Sequence, residues 1–574
     1  MDQSSRNGAD EWNLGKVWLQ SYPPEVSPRL DYSAETVPQV LERTAASYPD
    51  HGALSFLGAR MTYRQLWQEV TRFANALVHR GLRPGDAVCV MLPNCPQAII
   101  AFYGALQAGA VVVMTNPLYV ERELQYQLQD SGATFIVALD LLQERVLRAI
   151  EKTKIEQVIF TGIQDYLPIP PNLVNASAPP PQGANPPVVV SATIHRWPAV
   201  LESGRSEAEI TSRQAEDVAL YQYTGGTTGT PKGVMLTHRN INANTQQIFA
   251  WFYKCEPGKE RILCVLPFFH VYGLTMGMHL GIAVGAELIL LPRFESDKIL
   301  ETIDRERPTM FPGTPTIYIA IINHPKVAQY DLSSIKGCIS GAAPLPVEVQ
   351  QRFEELTGGR IVEGYGLTEA SPVTHVIPLW HKRKSGSIGL PLPDTEVKIV
   401  HLETGAAVAG GEVGELAVKG PQVMKGYWNR PDETHEVLRD RWLYTGDLAY
   451  MDEEGFFFIV GRKKDVIIAG GYNIYPREVE EVLYEHPAIQ EAVVVGVPDP
   501  YRGETVKAYL VRKAGAEISP AEIEQYCRNN MATYKVPRVI EFRTELPKTL
   551  SGKILRRQLL EEENEVAATK TENS

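Results

Sequence analysis

YQYTGGTTGTPKGVMLTHRN, Tyr221–Asn240, is the stretch around which the rest of the chain is organised. The apolar run Val218–Tyr221 reads as a strand, and it enters a Thr/Gly loop that closes on Pro231, Lys232 and Gly233. Glycines let a backbone turn tightly and bring its N–H groups up to an anion. Thr224, Thr227 and Thr228 add hydroxyl donors beside Gly225, Gly226 and Gly229, and Lys232 adds a positive charge, so the run suits a polyphosphate. It is not the common nucleotide P-loop, in which Gly precedes the Lys and Ser or Thr follows it. Here Pro231 precedes Lys232 and Gly233 follows. Taken alone, such a run is also what an ordinary mobile surface loop looks like.

Working outward, strands and helices alternate on both sides of this stretch. Thr62-Tyr63-Arg64-Gln65 has the form of a capping box and opens a helix whose apolar side is Leu66, Val70, Phe73 and Leu77, closed by Gly81. Asp86–Leu92 reads as a buried strand, Ala98 begins a buried helix that feeds the strand Ala110–Met114, and Val120–Leu128 and Thr134–Leu139 repeat the pair. Such alternation implies a parallel, doubly wound sheet. Two uncharged stretches, Ala98–Met114 and Ile262–Ala286, resemble membrane spans. The first is broken by Gly104 and Gly109, and the second holds Pro267, His270, His279 and four glycines. Both are read as buried elements, the second as strand, loop and helix, so no transmembrane segment is expected.

The 574 residues are too many for one simple core, and the composition, 44% hydrophobic and 22% charged, is that of a globular protein. A net charge of −12 argues against a nucleic-acid binder. Cys89, Cys95, Cys255, Cys264, Cys338 and Cys527 are scattered without CxxC pairs, which reads as inert thiols in a reducing, cytoplasmic compartment. The polar start MDQSSRNGADEWN has no signal-peptide pattern. Residues before about Tyr32 read as an extended arm. Leu167–Pro198, rich in Pro, reads as an exposed loop or linker, with a docking segment as the other reading. Ser385–Gly426 carries short alternating strands and Gly/Pro turns, the pattern of a small β subdomain. The expected division is residues 1–461, a hinge at 462–464, a compact α+β unit at 465–560 and a charged, disordered tail at 561–574.

Further motifs follow in order. Ser340-Gly-Ala-Ala-Pro-Leu345 comes after an apolar strand, then Glu363-Gly-Tyr-Gly-Leu-Thr-Glu369, Tyr444-Thr-Gly-Asp447, Gly461-Arg-Lys-Lys-Asp465, Gly470-Gly-Tyr-Asn-Ile474 and Pro547-Lys-Thr-Leu-Ser-Gly-Lys553. With Tyr221–Asn240, this series resembles the adenylate-forming superfamily of acyl-CoA synthetases, aryl-CoA ligases, peptide-synthetase adenylation domains and luciferases. Gly225 stands where many members carry Ser, which resembles the fatty acyl-CoA branch, and over nearly its whole length the chain is most similar to bacterial long-chain fatty-acid–CoA ligases.

The resemblance implies a large N-terminal region of doubly wound, mostly parallel sheets with a small β subdomain, then a small mobile C-terminal domain. It implies ATP, Mg²⁺ and CoA, with a fatty acid as the carboxylate. Thr224, Gly225, Gly226, Thr227, Thr228, Gly229 and Lys232 would hold phosphates, and Gly341, Ala342, Glu363, Gly364 and Tyr365 would surround adenine. Thr368 would bond the α-phosphate, Glu369 would ligate Mg²⁺, and Asp447 and Arg462 would take the ribose. Lys464 falls at the interdomain hinge, and Gly470, Gly471 and Tyr472 would meet CoA. Lys553 would be the adenylation lysine, since a carboxylate attacking a phosphate needs a fixed cation between the two anions. His270, in Leu266-Pro-Phe-Phe-His-Val-Tyr-Gly273, would place the substrate carboxylate, with Val271, Gly273, Leu274 and Gly313 in the acyl pocket; as residues alone, a His in an apolar run is more often a satisfied core residue. An aryl-CoA ligase of the coumarate kind is the alternative within the class. Outside it stand a fatty-acid-binding or uptake partner with a vestigial nucleotide site, and a peptide-synthetase adenylation protein. Peripheral membrane contact and self-association stay open.

Overall fold

Six strands run parallel and side by side, in the order Val218–Thr224, Val111–Met114, Ala87–Met91, Phe135–Leu139, Gln157–Thr161 and Ile194–Arg196. Lys232–Thr237 and then Gly426–Tyr427 extend the sheet antiparallel beyond Val218–Thr224. The chain builds this sheet outward from Ala87–Met91 in both directions, so the strand order reverses there, and ligands of open α/β sheets gather beyond the carboxyl ends at such a point. Thr224 lies at that end of its strand. The computed structural model describes residues 16–167, 188–224, 230–469, 472–499, 501–548, 554–556 and 558–563.

Local chemistry accounts for the flanking helices. Thr62 caps Tyr63–His79 reciprocally: Gln65 N donates to Thr62 Oγ1 at 3.3 Å, and Thr62 N donates to the Gln65 side chain at 2.8 Å. The Leu66, Val70, Phe73 and Leu77 side of this helix is buried against Pro96–Gln107, a helix whose first eleven residues are all buried. Gly104 makes the approach possible, because a Cβ there would stand 2.8 Å from the Phe73 ring. Among the described residues no helix is long and apolar enough to cross a membrane.

A second sheet runs Arg261–Cys264, Glu287–Leu290, Gly52–Phe56 and Ala59–Thr62. Bridges through Met310 and Gly313 connect it to Gly337–Ser340, Arg360–Gly366, Val373–Val376 and Leu390–Pro391. A third, antiparallel sheet holds Glu396–Val400, Gly414–Lys419, Trp442–Met451 and Phe457–Arg462. One hydrophobic core spans Trp18 to Phe457, and separate clusters lie within Ile467–Val536 and Val493–Leu559. The last part of the chain packs the helices Pro476–Tyr484 and Pro520–Asn530 on a sheet centred on Gly503–Arg512.

Three expectations need correction. The stretch before Tyr32, read as an extended arm, forms a 3-10 helix at Val17–Ser21 and is packed on the core: Trp18 is buried edge-on to Phe457, and Tyr22 packs edge-on to Trp251. The stretch read as a loop to Pro198 contains the edge strand Ile194–Arg196 and the start of the helix Trp197–Ser203. Trp197 stacks on Phe73 at 4.8 Å, and Pro198 sits in the first helical turn, where its missing N–H costs nothing. At the other end the chain stays helical over 558–563. Glu562 pairs with Arg543, and Glu563 pairs with Lys507 and accepts the Tyr509 hydroxyl at 2.6 Å, so those charges are anchored. In Ile262–Ala286 the expected strand, loop and buried helix are present, with the helix beginning as a π-helix, Gly273–His279, before the turn Leu280–Ala283. π-turns are uncommon and cluster near functional sites. Residues 1–15, 168–187 and 564–574 lie outside the described residues.

The six cysteines are unpaired, five of them buried. Burial pushes the thiols of Cys89, Cys95 and Cys255 up to about 12, which keeps them protonated and unreactive at neutral pH.

Candidate active site

Strand pairing brings the first two motifs together. Gly337–Ser340 and Arg360–Gly366 run parallel with Ser340 opposite Glu363, so both loops leave the sheet at the same edge. Gly341 donates its N–H to Gly313 O at 3.1 Å, and a Cβ on Gly341 would press on the Tyr272 ring at 3.0 Å. Ala342 holds φ at +68°, a conformation unfavourable for a residue with a Cβ, and it is exposed. Gly364 allows the close approach of Ile339, whose Cγ2 would be 2.8 Å from an added Cβ. Glu363 is buried, accepts the Leu345 N–H at 2.9 Å and faces Arg477 at 4.0 Å. Burial pushes its carboxyl up. Its carboxylate therefore props the Ser340–Leu345 loop from behind.

The ribose candidates meet directly. Asp447 and Arg462 pair across adjacent antiparallel strands, with Arg462 Nε 2.7 Å from Asp447 Oδ1. The Tyr365 hydroxyl donates to Asp447 Oδ2 at 2.6 Å. Burial and the Asp447 carboxylate together hold the Tyr365 phenol well above its ordinary value, and the same carboxylate raises Arg462. Both oxygens of Asp447 are thus engaged, one by Arg462 and one by Tyr365. Behind Tyr365 stands His375, opposite it in the strand register, with ring centroids 5.9 Å apart and the next ring, Phe457, 4.9 Å further. Burial holds the His375 imidazole near 3, so it is neutral. Sequence reasoning missed His375; only the register of two strands reveals it.

Glu369 sits in the short turn Thr368–Ala370, half-buried like Thr368. Its Oε1 accepts the Tyr427 hydroxyl at 2.7 Å, and the Lys232 ammonium lies 5.3 Å from the centroid of the Tyr427 ring. Thr224 and Lys232 face each other across the last pair of their hairpin, and Gly225 to Gly229 between them lie outside the described residues. The hairpin stem is tightly held. Tyr223 donates to Asp130 Oδ2 at 2.7 Å, Arg430 pairs with Asp130 Oδ1 at 2.8 Å, and Tyr126 donates to Pro231 O at 2.8 Å. Tyr427, Asp130 and Arg430 were not identified from the sequence. Among the described residues no group of three His, Cys, Asp or Glu side chains could hold a metal. A lone carboxylate such as Glu369 nevertheless fits Mg²⁺, which usually takes one or two carboxylates together with substrate phosphates and water.

Gln222 donates to Phe269 O at 2.8 Å, tying the strand Val218–Thr224 to the segment that bears His270. His270 itself is exposed, one turn before the π-helix, and its carbonyl accepts the Leu274 N–H at 3.0 Å. Val271 and Leu274 are buried. Gly313 is buried beside Tyr318, whose ring would be 2.8 Å from an added Cβ, and its carbonyl accepts the Tyr272 hydroxyl at 3.3 Å. Gly273 does not face open space: a Cβ there would lie 2.3 Å from Pro267 O and 2.7 Å from Leu266 O. Its bare Cα serves backbone packing under the π-helix, which corrects its placement in the acyl pocket.

In the last part of the chain Lys553, Gly470 and Gly471 lie outside the described residues. Lys548 and Ile554, which flank Lys553 in sequence, pair through a β-bridge. Tyr472 is exposed and stacks on Tyr534 at 4.6 Å. Lys464 is exposed in the turn Lys463–Asp465, and its neighbour Lys463 pairs with Glu415 at 3.0 Å. Arg477 reaches from the helix Pro476–Tyr484 to Glu363 in the main core.

With this geometry in view, likeness to other proteins becomes specific. Residues 41–428 match the AMP-binding enzyme family, and 478–553 match the AMP-binding enzyme C-terminal domain. The chain is 52% identical over 552 residues to a long-chain-fatty-acid–CoA ligase of Bacillus subtilis (strain 168), covering 96% of this chain and 98% of that one. It is 41% identical over 555 residues to the long-chain-fatty-acid–CoA ligase of Salmonella typhimurium, with the same coverage. Among solved structures, the anthranilate CoA ligase AuaEII in complex with anthranoyl-AMP superposes with a TM-score of 0.82 at 28% identity, over 94% of this chain and 99% of that one. ATP-bound MatB from Rhodopseudomonas palustris gives 0.80 at 30% identity, over 92% and 98%.

Proposed function

This chain belongs to the AMP-binding enzyme family, and from that premise we propose that it is an ATP-dependent, AMP-forming fatty-acid–CoA ligase for medium- to long-chain acids. One observation carries most of the weight: Tyr365, Asp447 and Arg462 converge, and Glu369 and Lys232 both contact Tyr427 beside the Thr224–Lys232 hairpin, though these residues lie far apart in sequence.

The reaction has two halves. A carboxylate oxygen attacks the α-phosphorus of ATP, the bond from that phosphorus to pyrophosphate breaks, and acyl-AMP forms. CoA then loses its thiol proton, its sulfur attacks the acyl carbon, and the carbon–oxygen bond to AMP breaks. The Thr224–Lys232 hairpin holds the departing phosphates, Thr368 the α-phosphate, and Asp447 with Arg462 the ribose. Tyr365 lies against adenine, walled by Gly341, Ala342 and Gly364, with Glu363 bracing the wall. Glu369 would hold the divalent ion that accompanies the triphosphate, and that ion would supply positive charge to the phosphoryl oxygens. Lys553 places a fixed cation between carboxylate and α-phosphate, and His270 orients the carboxylate.

Acyl-AMP hydrolyses if water reaches it, so the thiol must arrive in a closed site. A division at 1–461 and 465–560, turning about Lys464 in 462–464, answers that need by presenting Lys553 first and Gly470, Gly471 and Tyr472 to CoA second. Unpaired, protonated cysteines agree with a reducing cytoplasmic setting.

The test is acid-dependent isotope exchange between pyrophosphate and ATP. Exchange should require a fatty carboxylate and vanish in Lys553→Ala, while that variant still converts supplied acyl-AMP and CoA to thioester. Equal loss of both halves would remove Lys553 from its assigned role. Exchange driven by amino acids instead would overturn the acyl assignment.

A further inference from the structure

Tyr427 belongs to none of the motifs read from the sequence, yet it touches two of their charged residues at once. Its hydroxyl donates to Glu369 Oε1 at 2.7 Å, and its ring lies under the Lys232 ammonium at 5.3 Å. The residue is only 8% exposed and is fixed from both sides. It pairs with Val234 in the sheet, its N–H donates to Thr434 Oγ1 at 2.9 Å, and Trp428 donates its N–H to Gly233 O at 2.7 Å. Trp428 is itself stacked on Tyr221 at 4.7 Å and bonded through Nε1 to Asp130 O. Little freedom remains for the Tyr427 side chain.

A phenol donating to a carboxylate makes a strong, charge-assisted bond that occupies one oxygen and sets the plane of the other. An aromatic face attracts a cation without neutralising it. An ammonium and a carboxylate at the mouth of one hairpin would otherwise collapse into an ion pair, each cancelling the charge the other needs for a metal–triphosphate. Here they meet through a neutral ring rather than directly.

Building on the nucleotide reading above, we propose that Tyr427 is a positioning residue that holds Glu369 and Lys232 apart and aims one Glu369 oxygen at the divalent ion of a metal–ATP complex. Its hydroxyl serves the metal carboxylate and its ring serves the lysine, so the two contributions separate by substitution. Tyr427→Phe removes only the hydroxyl, and Tyr427→Leu removes both.

Calorimetric titration of ATP with and without Mn²⁺, in the absence of acid and CoA, measures this without turnover. Tyr427→Phe should weaken Mn²⁺-dependent ATP binding about tenfold, the cost of a hydrogen bond to a charged group, while metal-free ATP binds as in the unaltered protein. Tyr427→Leu should weaken metal-free binding too. Equal Mn²⁺ dependence in Tyr427→Phe and the unaltered protein would overturn the proposal and leave the ligase reading intact. An unaltered protein that binds no ATP would overturn both. A thermal melt of Tyr427→Phe within error of the parent is expected, and uniform loss of melting temperature and of all nucleotide binding would assign the residue to packing instead.

Discussion

Arg556 donates from Nη2 to both carboxylate oxygens of Glu480, at 2.5 and 2.7 Å, and its Nη1 lies 3.7 Å from Asp465 Oδ2. One guanidinium three residues beyond Lys553 is therefore tied to the residue immediately after Lys464. Arg556→Ala removes the cation paired with Glu480, leaving the Val494 N–H as its remaining hydrogen-bond donor among the described residues. The expected cost is about 2 kcal/mol, between the values for exposed and buried pairs. Denaturant unfolding of the full chain should show it, and pyrophosphate exchange should fall further than thioester formation from supplied acyl-AMP. A variant with both half-reactions reduced alike would break the link to Lys553.

Asp447→Asn tests the ribose assignment. The substitution keeps the shape but removes the charge facing Arg462 and Tyr365. Loss of hydrogen bonds to a charged group predicts a KM for ATP raised about ten- to a hundredfold, with kcat less affected. An unchanged KM for ATP would contradict it.

Gly273 separates packing from specificity. Gly273→Ala drives a methyl into two backbone carbonyls that cannot move aside, so stability should fall by about 2–3 kcal/mol. Gly277→Ala meets Cys264 and Phe268 at 3.6 Å, an ordinary contact, and should be tolerated. Thermal melts of the two variants decide the matter; a stable Gly273→Ala with a shortened acyl preference would restore the tunnel role.

Three buried histidines set a pH dependence. Burial holds His279 and His375 near 3 and His238 near 4, all below the unfolded value of 6.5. His279 is further fixed by Tyr103 and Asn242, each at 2.7 Å. Between about pH 6.5 and pH 4 the unfolded chain binds protons that the folded chain refuses, so stability falls as pH falls through that window. Urea unfolding at pH 7.5 and pH 5 should show a clear drop in midpoint at the lower pH. A flat midpoint would mean that these imidazoles take up protons inside the fold.

Much of this was legible in the sequence because local chemistry wrote it there. The Thr62 capping box, the helix read from Ala98 and the strand before Thr224 all follow from neighbours within a few residues. The motif strings likewise announced Tyr365, Asp447 and Arg462, although only the strand pairing shows that they touch. What escaped is long-range. Tyr427 meets Glu369 across 58 residues, and Arg430 meets Asp130 across 300. Ile194–Arg196 hid beside a Pro-rich run because an edge strand needs little pattern of its own. Gly273 looked like tunnel space because no sequence pattern reveals a carbonyl packed against a Cα.

The most direct test of the whole account is kcat/KM for acid-dependent, CoA-dependent AMP release across a series of saturated acids and a set of aryl acids. Each methylene moved from water into an apolar tunnel contributes about 0.8 kcal/mol, roughly fourfold. Activity should therefore climb steeply from acetate to medium and long chains and then level off, with cinnamate-like acids well below the plateau. A profile that peaks on aryl acids and stays flat across the fatty acids would contradict the fatty-acid–CoA ligase assignment.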